Sequence, residues 1–166
     1  TSIRVGGDEM NEAIVQYFKK NYNLLIGEKT AENLKCEVGS ALPLEEEITT
    51  SVKGRDLVDG IPKTVEVNSV EIREALNEPI HTIVDTIKIT LERVPPELAS
   101  DILDRGIILS GGGALLRRLD DRVMQETRLP VNVAEDSLSC VVRGCGTILE
   151  DYNRFQTVLL KSNRRM

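Results

Sequence analysis

"GIILSGGGALLRRLDD", residues 106–121, joins an unbroken apolar run to three consecutive glycines and then to an amphipathic segment. Ile107 to Leu109 lacks alternation and reads as a strand covered on both faces. The segment from Ala114 to Thr127 reads as a helix. "PVNVAE" (130–135) follows as a second strand and "SLSCVVRGCGTILEDY" (137–152) as a second helix. This order predicts parallel strands with a right-handed crossover. In open α/β sheets, ligands gather at the carboxyl ends of strands, where helix N-termini present unpaired N–H groups. One glycine is enough for the corner, and three leave a backbone without Cβ atoms, against which a flat group can lie. Alone, the triplet fits a plain turn as well as a ligand surface. It is neither G-x-G-x-x-G nor followed by G-K-[ST].

Upstream, Ile80, Ile83, Val84, Ile87, Leu91 and Val94 keep a helical period that Pro95-Pro96 stops, and "LASDILDRG" reads as a short helix ending at Gly106. Asn68 and Glu71 have the spacing of a capping box opening a helix that Pro79 is expected to end. Residues 45–68 read as a hairpin with a long connection. Asp8 is the expected N-cap of a helix carrying Met10, Ile14, Tyr17 and Phe18 on one face. Thr30 is the expected cap of "AENLKCEV", closed by Gly39. "SIRV" (2–5) alternates like a strand. Two parts are therefore expected: a small mixed lobe over 6–78, and part of an α/β sheet domain made of 1–5 and 79–166.

Composition narrows the function classes. The chain has 166 residues, 40% hydrophobic and 29% charged, with no Trp and a net charge of −6. Neither a basic stripe nor stacking aromatics are available for nucleic acid. The basic end "KSNRRM" reads as a solubilising tail. Cys36, Cys140 and Cys145 form no CxxC pair, and their odd number argues against a disulfide framework, which points to a reduced, cytoplasmic setting. No apolar run approaches the roughly 18 residues of a membrane span, and "TSIRVGGDEM" is no signal peptide. His81 lacks a second ligand at metal spacing and reads as a surface or packing residue. Asp120-Asp121 and Glu45-Glu46-Glu47 splay around their backbones and read as solvated faces.

A second constellation bears on the glycines. In "TAENLKCEVGSA" (30–41), Glu32 and Lys35 share one helix face, opposite Leu34 and Val38. An acceptor and a donor side by side can grip a ribose hydroxyl and a base edge, or form an ordinary solvated ion pair.

These two stretches, with "RVGGDEMNEAIVQY", "VKGRDLVDGIPK", "EPIHTIVDTIKITLERVPPELASDILDRG", "PVNVAED" and "CVVRGCGTILED", resemble the actin-like ATPases, and within them the MreB family of bacterial cell-shape proteins. The likeness covers nearly the whole chain up to about residue 151. It implies the C-terminal half of such a protein: a partial actin-like (ribonuclease H-like) α/β lobe, subdomain IIA, lacking its first strands, with a small α+β subdomain, IIB, inserted. By this resemblance Gly111, Gly112, Gly113, Ala114 and Leu115 lie against the adenosine of ATP or ADP. The helix segment Glu32, Asn33, Leu34 and Lys35 supplies the other adenosine contact, although Asn33 stands where many relatives have Arg. Cys36 and Cys145 fall at variable places and read as packing.

The resemblance also says what is missing. The family holds phosphates and Mg²⁺ between two glycine-rich hairpins, and nothing like D-x-G-G-G-T occurs here. No residue is therefore expected to be catalytic or to bind metal, and no ATP turnover is expected from this part of an ATPase. Function in that family is cell-shape determination through head-to-tail filaments that organise cell-wall synthesis, with a RodZ-type membrane partner. Membrane association belongs to the other half. The alternative is a stand-alone interaction module with a vestigial nucleotide site. A chaperone-type or sugar-kinase relative is a third possibility, set back because those families carry different inserted lobes.

Overall fold

The computed structural model describes residues 1–156; the tail "KSNRRM" lies outside the described residues. Helix α1 (Gly7–Tyr22) leads through β1 (Leu24–Leu25) to α2 (Glu28–Val38), and a hairpin follows, β2 (Thr49–Asp56) and β3 (Pro62–Asn68). Beyond it come α3 (Ser69–Glu92), α4 (Pro96–Arg105), β4 (Ile107–Leu109), a 3₁₀ turn over Gly112–Leu115, α5 (Leu119–Thr127), β5 (Val131–Val133), α6 (Cys140–Glu150) and α7 (Tyr152–Phe155).

β1, β2 and β3 form an antiparallel sheet in that order, with the hairpin in register from Thr49–Asn68 to Arg55–Pro62. Its connection is short, because Asp56 organises it. That carboxylate is buried, accepts from the Val58 amide (2.8 Å), and pairs with Lys63 Nζ at 2.9 Å. The lysine, then the loop amides, hold its carboxyl below the usual range. α1, α2 and α3 pack on the sheet through Met10, Ile14, Phe18, Leu34, Val38, Ile72 and Leu76. β4 and β5 pair in parallel, Ile107 with Val131 through Leu109 with Val133, as the strand–helix–strand order predicts. The apolar core runs on without a break into Leu116, Leu119, Val123 and Val131.

The Asn68–Glu71 capping box forms in both directions, at 3.0 and 3.1 Å. Pro79 does not end the helix it opens: α3 runs from Ser69 to Glu92 with Pro79 inside, buried. A proline in a helix interior costs about 3 kcal/mol. Ile72, Leu76, Ile80 and Val84 form one buried stripe across it, each contributing about 1.5–3 kcal/mol by burial, so packing prevails over the local break.

Other ends shift for local reasons. The N-cap of α1 is Gly6, not Asp8, and Glu9 reaches back to the Gly6 amide at 2.9 Å. α2 starts one turn early, with Gly27 as cap and Thr30 inside the helix. α5 begins at Leu119 rather than Ala114, because the chain first makes a 3₁₀ turn and then passes through a left-handed Arg118 (φ 59°). "SIRV" is not a strand: no ladder reaches it, and it lies along a groove beside Ile83, Ile87 and Ile107. β4 is not covered on both faces either, since Ile108 is 70% exposed. Cys36 and Cys145 are exposed rather than packed. Cys36 lies on the outward side of α2, away from Leu34 and Val38, and Cys145 lies on α6, of which no residue is buried.

The acidic runs are not uniform. Glu47 takes a bidentate contact from Arg73 (Nη2 to Oε1 2.7 Å, Nη1 to Oε2 3.3 Å) and also accepts from the Ser69 hydroxyl. These bonds, the arginine's first, hold its carboxyl down at about 2. Asp121 pairs with Arg118 at 2.9 Å. His81 is exposed and lies 3.2 Å from Asp85 on its own helix.

Candidate functional site

The carboxyl end of β4 turns sharply at Gly111, with φ 83° and ψ 175°. That backbone is essentially restricted to glycine. Its amide donates to the carbonyl of Ser137 at 2.7 Å, which anchors the turn to the loop after β5. Gly112 and Gly113 lie in the 3₁₀ turn at negative φ, so the backbone does not require glycine there. Their lack of side chains instead opens space. A Cβ on Gly111 or Gly113 meets nothing within 4 Å, and one on Gly112 only brushes Leu138 at 3.4 Å. One glycine makes the corner, and its neighbours leave bare surface beside it. Ala114 is buried, whereas Leu115 is 57% exposed. The surface fits a flat base and sugar lying against main chain.

α2 lies next to this turn. Leu34 and Val38 face the core, Asn33 is exposed, and Glu32 and Lys35 are half-buried on the outward side. The two charged groups do not pair with each other. Glu32 accepts from Lys29 Nζ at 2.9 Å, and that bond holds its carboxyl below the usual range. Lys35 Nζ donates to the carbonyl of Gly7, at the start of α1, at 3.0 Å. No hydrogen bond joins Glu32 or Lys35 to Gly111–Leu115 among the described residues. The elements carrying them meet through Arg117. Its Nη1 donates to the carbonyls of Cys36 (3.1 Å) and Glu37 (2.7 Å) in the last turn of α2. Gly6, the N-cap of α1, separately shares with Gly113 and Ala114 an open, mostly apolar groove of about 510 Å³. The Arg117 carbonyl accepts from Ala41 N at 2.8 Å.

Neither Arg117 nor Lys29 belongs to the two constellations of the sequence. The i,i+3 spacing of Lys29 and Glu32 was legible there, whereas the reach of Arg117 across about eighty residues was not. Among the described residues, no group of three or more His, Cys, Asp or Glu is gathered as metal ligands. No helix among them is long and apolar enough to cross a membrane.

A parallel strand pair ending in a bare glycine turn, joined to a three-stranded lobe through a long shared helix, is part of an actin-like ATPase fold. The chain matches the structure of MreB5 of Spiroplasma citri bound to AMPPNP with a TM-score of 0.88 and 38% identity, over 96% of this chain and 48% of that one. It is 54% identical over 150 residues to the cell shape-determining protein MreB of Escherichia coli, covering 90% of this chain and 43% of the relative. It is 46% identical over 154 residues to the cell shape-determining protein Mbl of Bacillus subtilis, covering 93% and 46%. The family model described as MreB/Mbl protein matches residues 1–157. The chain belongs to the MreB/Mbl family, and it spans less than half the length of these relatives.

Proposed function

We propose that this chain is the adenosine-binding side of an MreB-type filament ATPase that determines cell shape. The observation that carries the reading is the open, side-chain-free surface over Gly111 and Gly113 at the end of β4. Gly111, Gly112 and Gly113 take the flat face of the adenosine, with the Ala114 backbone beneath it and the Leu115 side chain at its edge. Glu32, Asn33, Leu34 and Lys35 form the opposite wall, with Leu34 a buried residue that supports it from the core side. Glu32 and Lys35 keep free hydrogen-bonding capacity beyond their present partners, since a carboxylate accepts several bonds and an ammonium donates three. The AMPPNP-bound state of the S. citri relative supports the ligand class.

The chain divides into the inserted IIB-type lobe over 6–78 and the IIA-type lobe made of 1–5 and 79–166, of which 157–166 lie outside the described residues. Phosphate, Mg²⁺ and water-positioning groups come from outside these residues, so this part binds nucleotide weakly and does not turn it over. In the whole protein it contributes to head-to-tail self-association, and its outer surface faces a RodZ-type membrane partner and the cell-wall synthesis machinery. Titration with ADP by calorimetry, alongside Gly113→Asp, tests the site. Weak saturable binding that the aspartate abolishes is expected, and equal binding by both proteins overturns the assignment.

One observation favours a second reading. β4 pairs only with β5 among the described residues, and Ile108 is open to solvent. A free strand edge of this kind suits an interaction module that pairs with another chain. Clear adenine-nucleotide binding separates the first reading from this one.

A further inference from the structure

We propose that Arg117 is a positioning residue for the nucleotide. It ties α2 to the segment leaving the glycine turn, so that the two elements meeting the adenosine move as one body. The inference rests on the site reading above.

The last carbonyls of a helix lack partners within it. In α2, the Gly39 amide takes Leu34 and Lys35, and the carbonyls of Cys36 and Glu37 are taken by Arg117 Nη1 at 3.1 and 2.7 Å. A guanidinium at this end also complements the partial negative charge of the helix terminus. The same residue is held through its main chain, since Ser40 bridges it in parallel and Ala41 N donates to its carbonyl. There is no slack between the two elements. A Cβ on Gly39, the residue that ends α2, would sit 3.1 Å from Leu116 Cδ1. Arg118 continues the strap by donating to the carbonyl of Pro43.

The clamp lies close to the ligand groups on both sides. Arg117 follows Gly113 by four residues, and its acceptors follow Lys35 by one and two. Gly111–Leu115 and Glu32–Lys35 make no direct hydrogen bond, so their spacing depends on what joins the elements behind them. Of the two arginines, Arg117 alone holds α2 itself. Each ligand wall therefore binds against a partner already in place, which lowers the ordering cost of binding.

Two measurements on the 166-residue chain test this in Arg117→Met, which keeps the apolar stem and loses the donors, and Arg117→Lys, which keeps a charged donor. The first is ADP affinity. Arg117→Met should weaken it about 10-fold, within the usual range of coupling between sites, and Arg117→Lys should restore most of the loss. The second is the spread of distances, without ligand, between spin labels on Cys36 and on a cysteine replacing Leu115, with Cys140 and Cys145 changed to serine. It should be narrow in the parent and Arg117→Lys, and broad in Arg117→Met. A narrow spread in Arg117→Met overturns the clamp whatever the affinities are. A broad spread with unchanged ADP affinity overturns its role in binding. If no protein takes up ADP, including the parent, the site reading itself falls, and the nucleotide role of Arg117 with it.

Discussion

Arg117 closes the last turn of α2 by donating to the carbonyl of Glu37 at 2.7 Å, across eighty residues of chain. The fold thereby joins the end of α2 to the exit of the glycine turn. In the sequence, the glycine triplet and the Glu32–Lys35 pair are separate features. In the structure they sit at the two ends of one short strap of backbone and arginine side chains.

Gly111 and Gly113 should respond differently to alanine. Gly111 has a backbone that other residues rarely adopt, so Gly111→Ala should destabilise the chain by about 1–3 kcal/mol. Gly113 lies at negative φ with open space at its Cβ position, so Gly113→Ala should change stability by less than about 0.5 kcal/mol and still weaken ADP binding by covering the surface. Urea unfolding paired with calorimetry distinguishes the two effects.

The unbroken α3 can be checked through its stripe. Leu76 is fully buried, and Leu76→Ala should lower stability by about 2–5 kcal/mol. Ile108, 70% exposed on β4, should tolerate Ile108→Ser within about 0.5 kcal/mol. If Ile108→Ser costs as much as Leu76→Ala in urea titrations, β4 is covered on both faces after all.

Glu47 gives a pH dependence of defined sign. Arg73, then Ser69, hold its carboxyl at about 2, below its ordinary value of 4.5. The folded state therefore favours the ionised form. The stabilisation is complete above the ordinary value and fades as pH falls from 4.5 towards 2. The urea midpoint of Glu47→Gln should lie below that of the parent at neutral pH, and the two should converge across that window. A difference that stays constant down to pH 2 contradicts the pairing.

The Asn68 cap should be worth about 1 kcal/mol. Asn68→Ala removes the acceptor for the Glu71 amide, while the main-chain amide of residue 68 still donates to the Glu71 carboxylate. Asn68→Asp keeps the acceptor. Thermal unfolding should rank the parent and the aspartate variant together, above the alanine variant.

What could be read from the sequence follows from the range of each interaction. The capping box and the parallel strand pair rest on local spacing, and the structure bears them out; the hairpin forms too, but with a short connection instead of the long one expected. The helix does not end at Pro79 as its sequence predicts, because a buried stripe shared with other elements outweighs a local backbone preference. The starts of α1 and α2 lie two residues and about one turn earlier than expected, because Gly6 and Gly27 take the cap positions expected of Asp8 and Thr30. At the site, the bare surface of the glycine triplet was legible, because glycine declares its missing Cβ. The partner of Glu32, Lys29, lies at a local i,i+3 spacing, whereas that of Lys35 is a carbonyl on a different helix, which no spacing shows. The arginine clamp depends on tertiary contacts that no spacing encodes.

Amide chemical-shift mapping of the 166-residue chain with ADP, carried into the millimolar range, bears on the adenosine wall without intermediate steps. Shifts concentrated at Gly111–Leu115 and Glu32–Lys35, saturating together and lost in Gly113→Asp, are the predicted result. Shifts centred elsewhere, or no saturable change at either segment, would contradict the account.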